Sequence, residues 1–220
     1  MCGIFGSTSF NEYSSLYNEN KKRGTFSYGN LYVNKKDGSM YMQKTDGIVN
    51  LTMHKHHKQQ YNHFLGHTQA PTSEARSFSP KTSHPFEYTQ WIVAHNGVLE
   101  NHKELIGLHF ADHNNPVDSS IIPRLIHYMY GGDEIYAISE ACGSLKGTYA
   151  CWIYNKDSKN TYLVRSGSTL FGNKATGSFS SAKAVGKCTK PLDEGFIYHV
   201  SKEGLTEVGG FFSHSPFFIF

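Results

Sequence analysis

Residues 1–6 read MCGIFG, and the cysteine directly behind the initiator methionine sets the expectations for this chain. If Met1 is removed, Cys2 carries a thiol and a free α-amine on one residue. An α-amine titrates at about pH 8 in model compounds, so it accepts a proton near neutral pH. A thiol becomes a strong nucleophile as the thiolate, and an adjacent base produces that thiolate. On its own, the pattern is equally compatible with a chance residue at position two.

Length and composition favour one domain over residues 1–220. Hydrophobic residues make up 38% of the chain and charged residues 18%, which is sufficient for a sizeable core. The net charge of +3 is small, and no Lys/Arg cluster suggests a nucleic-acid-binding face. No apolar run approaches a membrane span, and no secretory signal opens the sequence. We therefore expect a cytoplasmic protein that binds neither nucleic acid nor membranes.

The metal-binding residue types are not spaced as in known metal sites. Cys142, Cys151 and Cys188 form no zinc or redox pair with one another, so we expect them to be small buried hydrophobic residues. The segment HKHHKQQYNH (54–63) is rich in histidine, but no cysteine or carboxylate lies nearby to complete a site. Its composition favours a solvated loop over a metal cluster. We expect no metal and no cofactor.

Strand-like segments dominate the chain, with a few amphipathic helices between them. A helix is predicted after residue 10, with Tyr13, Leu16 and Tyr17 on one face, and a second helix is predicted from Asp118, as a possible N-cap, to Gly131. A third helix is predicted at 133–142. Strands are predicted at 2–7, 28–34, 39–45, 63–69, 90–97, 148–155, 161–168 and 196–200, the second and third forming a hairpin. Such a pattern predicts packed sheets with helices outside them.

The segment AHNGVLEN (94–101) ends a strongly apolar run and has two interpretations. An acyl-transfer site needs hydrogen-bond donors for an oxyanion, and the Asn96 amide is such a donor. Gly97 would let the backbone approach a substrate closely. Asn-Gly also strongly favours a simple turn at the end of a strand. On this segment alone, the turn is the simpler interpretation.

Seven segments, taken in order, resemble the motifs of class II glutamine amidotransferases. Their order and spacing are similar to those of the glutaminase half of glucosamine-6-phosphate synthase, across essentially the whole chain. The segments are CGIFG (2–6), KRGTFSYG (22–29), LGHTQAPT (65–72), AHNGVLEN (94–101), DSSII (118–122), LKGTYACWI (145–153) and RSGSTLFG (165–172).

The resemblance implies a fold and a reaction. The fold is α+β, a four-layer αββα sandwich of two antiparallel sheets, of the N-terminal nucleophile hydrolase type. Cys2 would attack the side-chain amide of L-glutamine with its own amine as general base, release ammonia, and leave a thioester that water hydrolyses to glutamate. Asn96 and the Gly97 backbone N–H would form the oxyanion hole.

The resemblance also implies further site residues. Asp118 matches the aspartate that holds the substrate α-ammonium, although a helix N-cap is the alternative role. Thr72 matches a threonine that contacts substrate, where a turn-capping hydroxyl is the alternative. Arg23 and Gly24 match a loop that packs over the nucleophile, and a solvated basic helix end is the alternative for Arg23.

The sequence departs from the family at Gln69. Class II enzymes normally have an arginine there, which grips the glutamine α-carboxylate with two hydrogen bonds. Ala70 and Ser73 also replace usual pocket residues. Glutamine could bind more weakly, Arg76 could substitute, or the ligand could differ. Our hypothesis is weaker glutamine binding, because Cys2 and the other matched positions are intact.

The resemblance also bears on partners. The chain has no further stretch long enough for a synthase domain, so we expect an amidotransferase subunit that passes ammonia to a separate synthase. The aromatic segment FFSHSPFFIF (211–220) is either a final packed strand or a docking surface for that partner. Two rival functions stay open: an N-terminal-cysteine hydrolase of another amide, and a degenerate subunit kept for interaction.

Overall fold

The computed structural model describes residues 1–70 and 77–212. In these ranges the chain forms two antiparallel sheets and four α-helices. The strands are β1 (Gly3–Ser7), β2 (Ser27–Val33), β3 (Met40–Asp46), β4 (His63–Gln69), β5 (Phe86–Tyr88), β6 (Trp91–Leu99), β7 (Gly147–Asn155), β8 (Thr161–Ser166), β9 (Phe171–Gly172), β10 (Phe179–Ser180), β11 (Lys190–Pro191), β12 (Phe196–Ser201) and β13 (Gly204–Gly210). The helices are α1 (Phe10–Asn20), α2 (His102–His109), α3 (Ile122–Met129) and α4 (Glu134–Ser144), with 3₁₀ segments at Leu51–Gln59, Pro80–Thr82 and Asp118–Ile121.

The strand order places β1 inside the first sheet and β6 next to the edge strand of the second. The first sheet runs β11-β9-β10-β1-β4-β2-β3, and the second runs β13-β12-β8-β7-β6-β5. β1 therefore has β10 on one side and β4 on the other, while β6 lies beside β7. β6 also pairs with β5, but only at Trp91, Ile92 and Val93, so Asn96 and Gly97 are held by β7 alone.

The core between the two sheets explains why so many strands are apolar on one face. Ile4, Leu31 and Leu65 of the first sheet pack against Trp152 and Leu163 of the second, and all five are fully buried. Burying apolar surface in this way is the main favourable term in folding. The two sheets therefore form the central layers of the molecule.

Helices cover the outer face of each sheet. On the first sheet, Tyr13 and Leu16 of α1 pack into an aromatic cluster with Phe64 of β4. On the second, α3 and α4 bury Leu125 and Ile138 against β6, β7 and β12. The layers are helix, sheet, sheet, helix, so the predicted α+β sandwich of two antiparallel sheets is confirmed. None of the helices in the described ranges has both the length and the apolar character that a membrane span requires.

The prediction of a solvated loop at 54–63 is wrong. Most of this segment is the 3₁₀ segment Leu51–Gln59, and the last residue, His63, begins β4. His54 and His57 are buried, and both rings pack on Tyr32. The prediction was based on the polar composition of the segment. Composition does not show which histidines pack against an aromatic cluster.

The aromatic segment 211–220 is described only at its start. The Phe211 ring stacks on Tyr149, with ring centroids 6.0 Å apart, whereas Phe212 is exposed. Neither residue lies in a strand. Residues 213–220 lie outside the described residues, so the docking surface stays a prediction.

Candidate active site

A cavity of about 590 Å³ brings together residues that are far apart in the sequence. Cys2, Gln69, Gly97 and Asp118 all line it. Cys2 directly precedes β1, Gln69 ends β4, Gly97 lies in β6, and Asp118 begins a 3₁₀ segment. The fold thus collects a thiol, an amide, a backbone segment and a carboxylate around one space.

The thiol of Cys2 is under opposing influences. The Ala70 backbone N–H forms a hydrogen bond to it. Burial raises the pKa of the Cys2 thiol, and the Asp118 carboxylate acts in the same direction, while that hydrogen bond, the positive N-terminus and Arg23 lower it. The net effect is a raised pKa, so the thiol needs a base to become a thiolate in this setting.

The loop at 23–24 packs beside the nucleophile. Arg23 Nε donates to the carbonyl oxygen of Cys2 at 2.9 Å, so its guanidinium is not a freely solvated helix end. Gly24 lies against the backbone of β4, where an added Cβ would be 2.4 Å from the Gln69 carbonyl carbon. Any side chain at position 24 would therefore push away the residues that contact Cys2.

Asn96 and Gly97 lie inside a strand, so the interpretation of AHNG as a strand-ending turn is wrong. β6 continues to Leu99 and stays in register with β7, with Gly97 opposite Tyr149. Gly97 has a φ of +149°, and an added Cβ would be 1.9 Å from the Thr148 carbonyl oxygen. Only glycine fits at this point.

The Asn96 side chain is held by a residue that the sequence interpretation missed. Asn96 Nδ2 donates to Ser181 Oγ at 3.3 Å, and the Ile4 backbone N–H donates to the same oxygen at 3.2 Å. Ser181 therefore ties Asn96 to the strand that follows Cys2. Asn96 is buried and is not among the residues that line the cavity, whereas Gly97 is.

Asp118 is not the N-cap that the sequence suggested as its alternative role. Val117 precedes the 3₁₀ segment and Asp118 is its first residue. Its two oxygens accept separate backbone hydrogen bonds, Oδ2 from Leu99 N at 2.8 Å and Oδ1 from Ser119 N at 2.7 Å. These bonds fix the carboxylate at the wall of the cavity.

A histidine that was overlooked in the sequence lies next to this carboxylate. His95 Nδ1 is 2.7 Å from Ser119 Oγ, and that hydroxyl donates to Asp118 Oδ1 at 3.1 Å. Burial lowers the pKa of His95, although Asp118 acts to raise it. The signal was present in the AHNG segment, where His95 directly precedes the predicted donor Asn96.

The side-chain amide of Gln69 is hydrogen-bonded within the protein. Its Oε1 accepts a hydrogen bond from Ser27 Oγ at 2.8 Å, and the side chain is buried. Among the described residues that line the cavity, the basic side chains are His84, His95 and His102, and none is an arginine or a lysine. Thr72, Ser73 and Arg76 lie outside the described residues, so their predicted roles stay predictions.

Comparisons with known proteins agree with the fold and the motifs. No protein-family model matches the chain. It is 30% identical over 184 residues to a glutamine–fructose-6-phosphate aminotransferase of Clostridium acetobutylicum, covering 77% of this chain and 29% of that protein. A protein of the same name from Chlamydia abortus is 29% identical over 133 residues, covering 57% of this chain and 22% of the relative. The chain thus spans less than a third of these relatives.

A solved structure shows the same fold at lower identity. The allosteric regulatory enzyme of purine biosynthesis superposes with a TM-score of 0.75 at 17% identity, covering 94% of this chain and 49% of that one.

Proposed function

We propose that this chain, which is homologous to the class II glutamine amidotransferases, is a single glutaminase domain that hydrolyses L-glutamine to glutamate and ammonia. The resemblance that the motifs indicated is confirmed by the relatives and by the fold. The observation that carries the proposed reaction is the position of Cys2. Its thiol lines one cavity with the Gly97 backbone and the Asp118 carboxylate.

The first step is attack by the thiol after Met1 has been removed. The freed α-amine of Cys2 takes the thiol proton, and the sulfur attacks the δ-carbon of glutamine. The resulting ammonium returns the proton to the leaving nitrogen, the C–N bond breaks, and ammonia departs. Water then attacks the thioester, which releases glutamate and restores the thiol.

The developing negative charge on the oxygen requires donors. The Gly97 N–H is assigned as the first donor, because Gly97 lines the cavity. An asparagine amide carries two N–H donors, and Ser181 accepts one from Asn96, so the second is assigned to the oxyanion. Loss of one such donor costs about 3 kcal/mol of transition-state stabilisation.

Substrate selection is assigned to residues that bind the α-ammonium and the α-carboxylate of glutamine. Asp118 receives the α-ammonium, since its carboxylate is fixed at the cavity wall by two backbone N–H groups. Gln69 contacts the α-carboxylate as a neutral donor, which gives weaker binding than an arginine pair. Arg23 holds Cys2 by a hydrogen bond to its carbonyl oxygen, and Gly24 allows close packing against the backbone of Gln69.

The released ammonia is proposed to pass to a separate synthase subunit. The names of the relatives pair glutamine with a second substrate, fructose 6-phosphate, in one enzyme. This chain covers less than a third of those enzymes, so the site that accepts the ammonia is proposed to lie on a separate partner.

The test is ammonia release from L-glutamine by the wild-type chain and by Cys2→Ala. Alanine is also small, so removal of Met1 is expected in both. We expect a loss of at least about a thousandfold in the variant. Cys188→Ala, which changes a buried cysteine outside the cavity, is the matched control and should keep full activity. Equal rates in wild type and Cys2→Ala would contradict the proposal.

A second candidate function follows from the basic residues of the cavity, which in the described lining are histidines. Because no arginine or lysine is found among its described lining residues, an amide without an α-carboxylate is a candidate substrate. The same Cys2 chemistry would apply. Comparing kcat/KM for glutamine, asparagine and simple primary amides separates the two functions, since a glutaminase should prefer glutamine by at least about tenfold.

A further inference from the structure

A second cavity of about 490 Å³ lies at the opposite end of the first sheet. His63, which begins β4, lines it, whereas Gln69, which ends β4, lines the candidate active site. Six residue steps along a strand span about 20 Å. The second cavity is therefore separate from the site of the proposed glutaminase reaction.

Lys35 enters this cavity without an acidic partner. Its Nζ donates to the Lys159 carbonyl oxygen, lies 3.5 Å from Thr161 Oγ1, and is 5.9 Å from the centre of the Tyr154 ring. No carboxylate of the described chain lies within 4.0 Å of this nitrogen. Burial lowers the pKa of Lys35 to about 8. A partly buried ammonium without a counter-ion is costly to maintain.

A second lysine approaches from the facing turn. Lys159 has a φ of +63°, the left-handed region that non-glycine residues seldom adopt. Its Nζ donates to the Lys36 carbonyl oxygen at 3.4 Å and also has no ion pair within the described ranges. Each lysine thus donates to a backbone carbonyl of the turn that carries the other. Both lysines line the same cavity.

Two histidines, His63 and His199, also line this cavity. His63 is 1% exposed, and its Nε2 lies 2.9 Å from Thr161 Oγ1. Its Nδ1 is buried and has no hydrogen-bond partner among residues 1–70 and 77–212. His199 lines the same cavity, with its Nε2 3.3 Å from Asn160 Oδ1. Burial and the Lys35 charge lower the pKa of both imidazoles.

Three acidic residues lie near this charge. Asp37 is close enough to Lys159 for the ammonium to help lower the pKa of Asp37, but Asp37 is exposed and forms no ion pair within the described ranges. Glu203 lines the cavity, but it is exposed and pairs with Lys202 at 3.6 Å. Glu134 is near enough to raise the pKa of His199, yet it accepts hydrogen bonds from Tyr162 and Asn160. The positive charge of the cavity therefore comes from Lys35 and Lys159, while the two imidazoles, whose pKa values are lowered, are neutral hydrogen-bonding groups.

We propose that this cavity binds the phosphate group of a small phosphorylated metabolite. A phosphate dianion matches two lysine ammonium groups better than a single carboxylate does, and it would accept hydrogen bonds from the imidazoles. Inorganic phosphate alone would leave much of the cavity unfilled, so the favoured ligand carries an organic group. The bound dianion would supply the missing partner of Lys35.

The experiment is calorimetric titration with inorganic phosphate and with glycerol 3-phosphate at pH 7. We compare the wild-type chain with Lys35→Met and with the control Lys36→Met, which changes an exposed lysine of the same turn. We expect glycerol 3-phosphate to bind at least about tenfold more weakly to Lys35→Met, and equally to Lys36→Met. Tighter binding of inorganic phosphate than of glycerol 3-phosphate would identify free phosphate as the ligand and contradict an organic one.

A second measurement shows that binding uses Lys35. Glycerol 3-phosphate should raise the Tm of the wild-type chain at pH 7 and lose that effect at pH 9.5, where Lys35 is mostly neutral. Lys35→Met should show no such rise at either pH. Equal binding or equal Tm shifts in wild type and Lys35→Met would overturn the proposal and leave the lysines as a tether between turns. Ammonia release in both lysine variants should be unchanged, which separates this proposal from the proposed glutaminase.

Discussion

At the scale of single residues, the backbone nitrogen of Cys2 decides the proposed chemistry. While Met1 is attached, that nitrogen is part of a peptide bond and accepts no proton. Burial meanwhile raises the pKa of the thiol. In the proposed mechanism the thiol therefore has no built-in base until Met1 is removed, and removal of that one residue makes Cys2 a nucleophile.

The residue at position 69 sets the predicted affinity for glutamine. Gln69→Arg should lower KM about 5- to 30-fold, because a guanidinium adds a charged pair with the α-carboxylate, on the order of 1–2 kcal/mol. The measurement is KM for glutamine at constant pH. Ser27→Ala is the control, since it removes the Gln69 partner without adding charge. An unchanged or higher KM in Gln69→Arg would count against weak glutamine binding as the effect of Gln69.

Ser181 is predicted to position the oxyanion donor. In Ser181→Ala, Asn96 Nδ2 and the Ile4 N–H lose a shared acceptor, so the Asn96 amide is no longer fixed. We expect kcat to fall at least about tenfold while KM changes less than twofold, because the loss affects the transition state. Ser181→Thr keeps the hydroxyl and should recover much of the rate. A fall in stability without a change in kcat would show a purely structural role.

Ser181 could not have been found from the sequence. It lies 177 residues from Ile4 and 85 from Asn96, and its hydrogen bonds depend on the pairing of β1 with β10. Cys2, Gly97 and Asp118 were predicted because each belongs to a short motif that resembles a known family. Motifs reveal residues whose neighbours are close in sequence, but not contacts made by distant strands.

At the scale of elements, β6 and β7 fix the backbone geometry of the proposed oxyanion hole. Gly97→Ala should lower stability by about 2 kcal/mol or more, because the φ of +149° and the close Thr148 carbonyl oxygen leave no room for a methyl group. Urea unfolding measures this change. Gly107→Ala is the matched control: Gly107 lies in α2 with open space around it, so alanine should stabilise by about 0.5–1 kcal/mol. Equal stability of Gly97→Ala and wild type would contradict the close approach.

Long, strongly patterned elements were predictable, and short or context-dependent ones were not. The hairpin of β2 and β3 and the strands β4, β6, β7, β8 and β12 match apolar or alternating segments in the sequence. β5, β13 and the two-residue strands β9, β10 and β11 were missed, because their hydrogen bonds come from neighbouring strands and not from local preference. Helix α2 was missed as well. The 3₁₀ segment Leu51–Gln59 was missed because its two histidines, His54 and His57, are buried by contacts with Tyr32 and Tyr41. These tyrosines lie on β2 and β3, away from the segment in sequence.

At the scale of the whole molecule, the sandwich buries several histidines in neutral form. His63, His67 and His95 are at most 1% exposed, and burial lowers the pKa of each, that of His67 to about 3. The unfolded chain, with imidazoles near 6.5, binds more protons than the folded chain below that pH. Stability is therefore complete above about pH 6.5 and is lost as the pH falls towards 3, by up to about 1.4 kcal/mol per pH unit for each imidazole.

The measurement is urea unfolding at pH 7.5 and at pH 5.0. We expect the free energy of unfolding to be clearly smaller at pH 5.0. His67→Gln should reduce this difference, whereas His56→Gln, at an exposed position, should not. A wild-type chain that is equally stable at both pH values would show that the buried imidazoles are not neutral in the way proposed.

The most direct test of the central claim is mass spectrometry of the chain after reaction with the glutamine-like electrophile diazo-oxo-norleucine. The account predicts one adduct per chain, located on Cys2, in protein that lacks Met1 and releases ammonia from glutamine. Adducts on Cys142, Cys151 or Cys188, or full activity in protein that retains Met1, would contradict it.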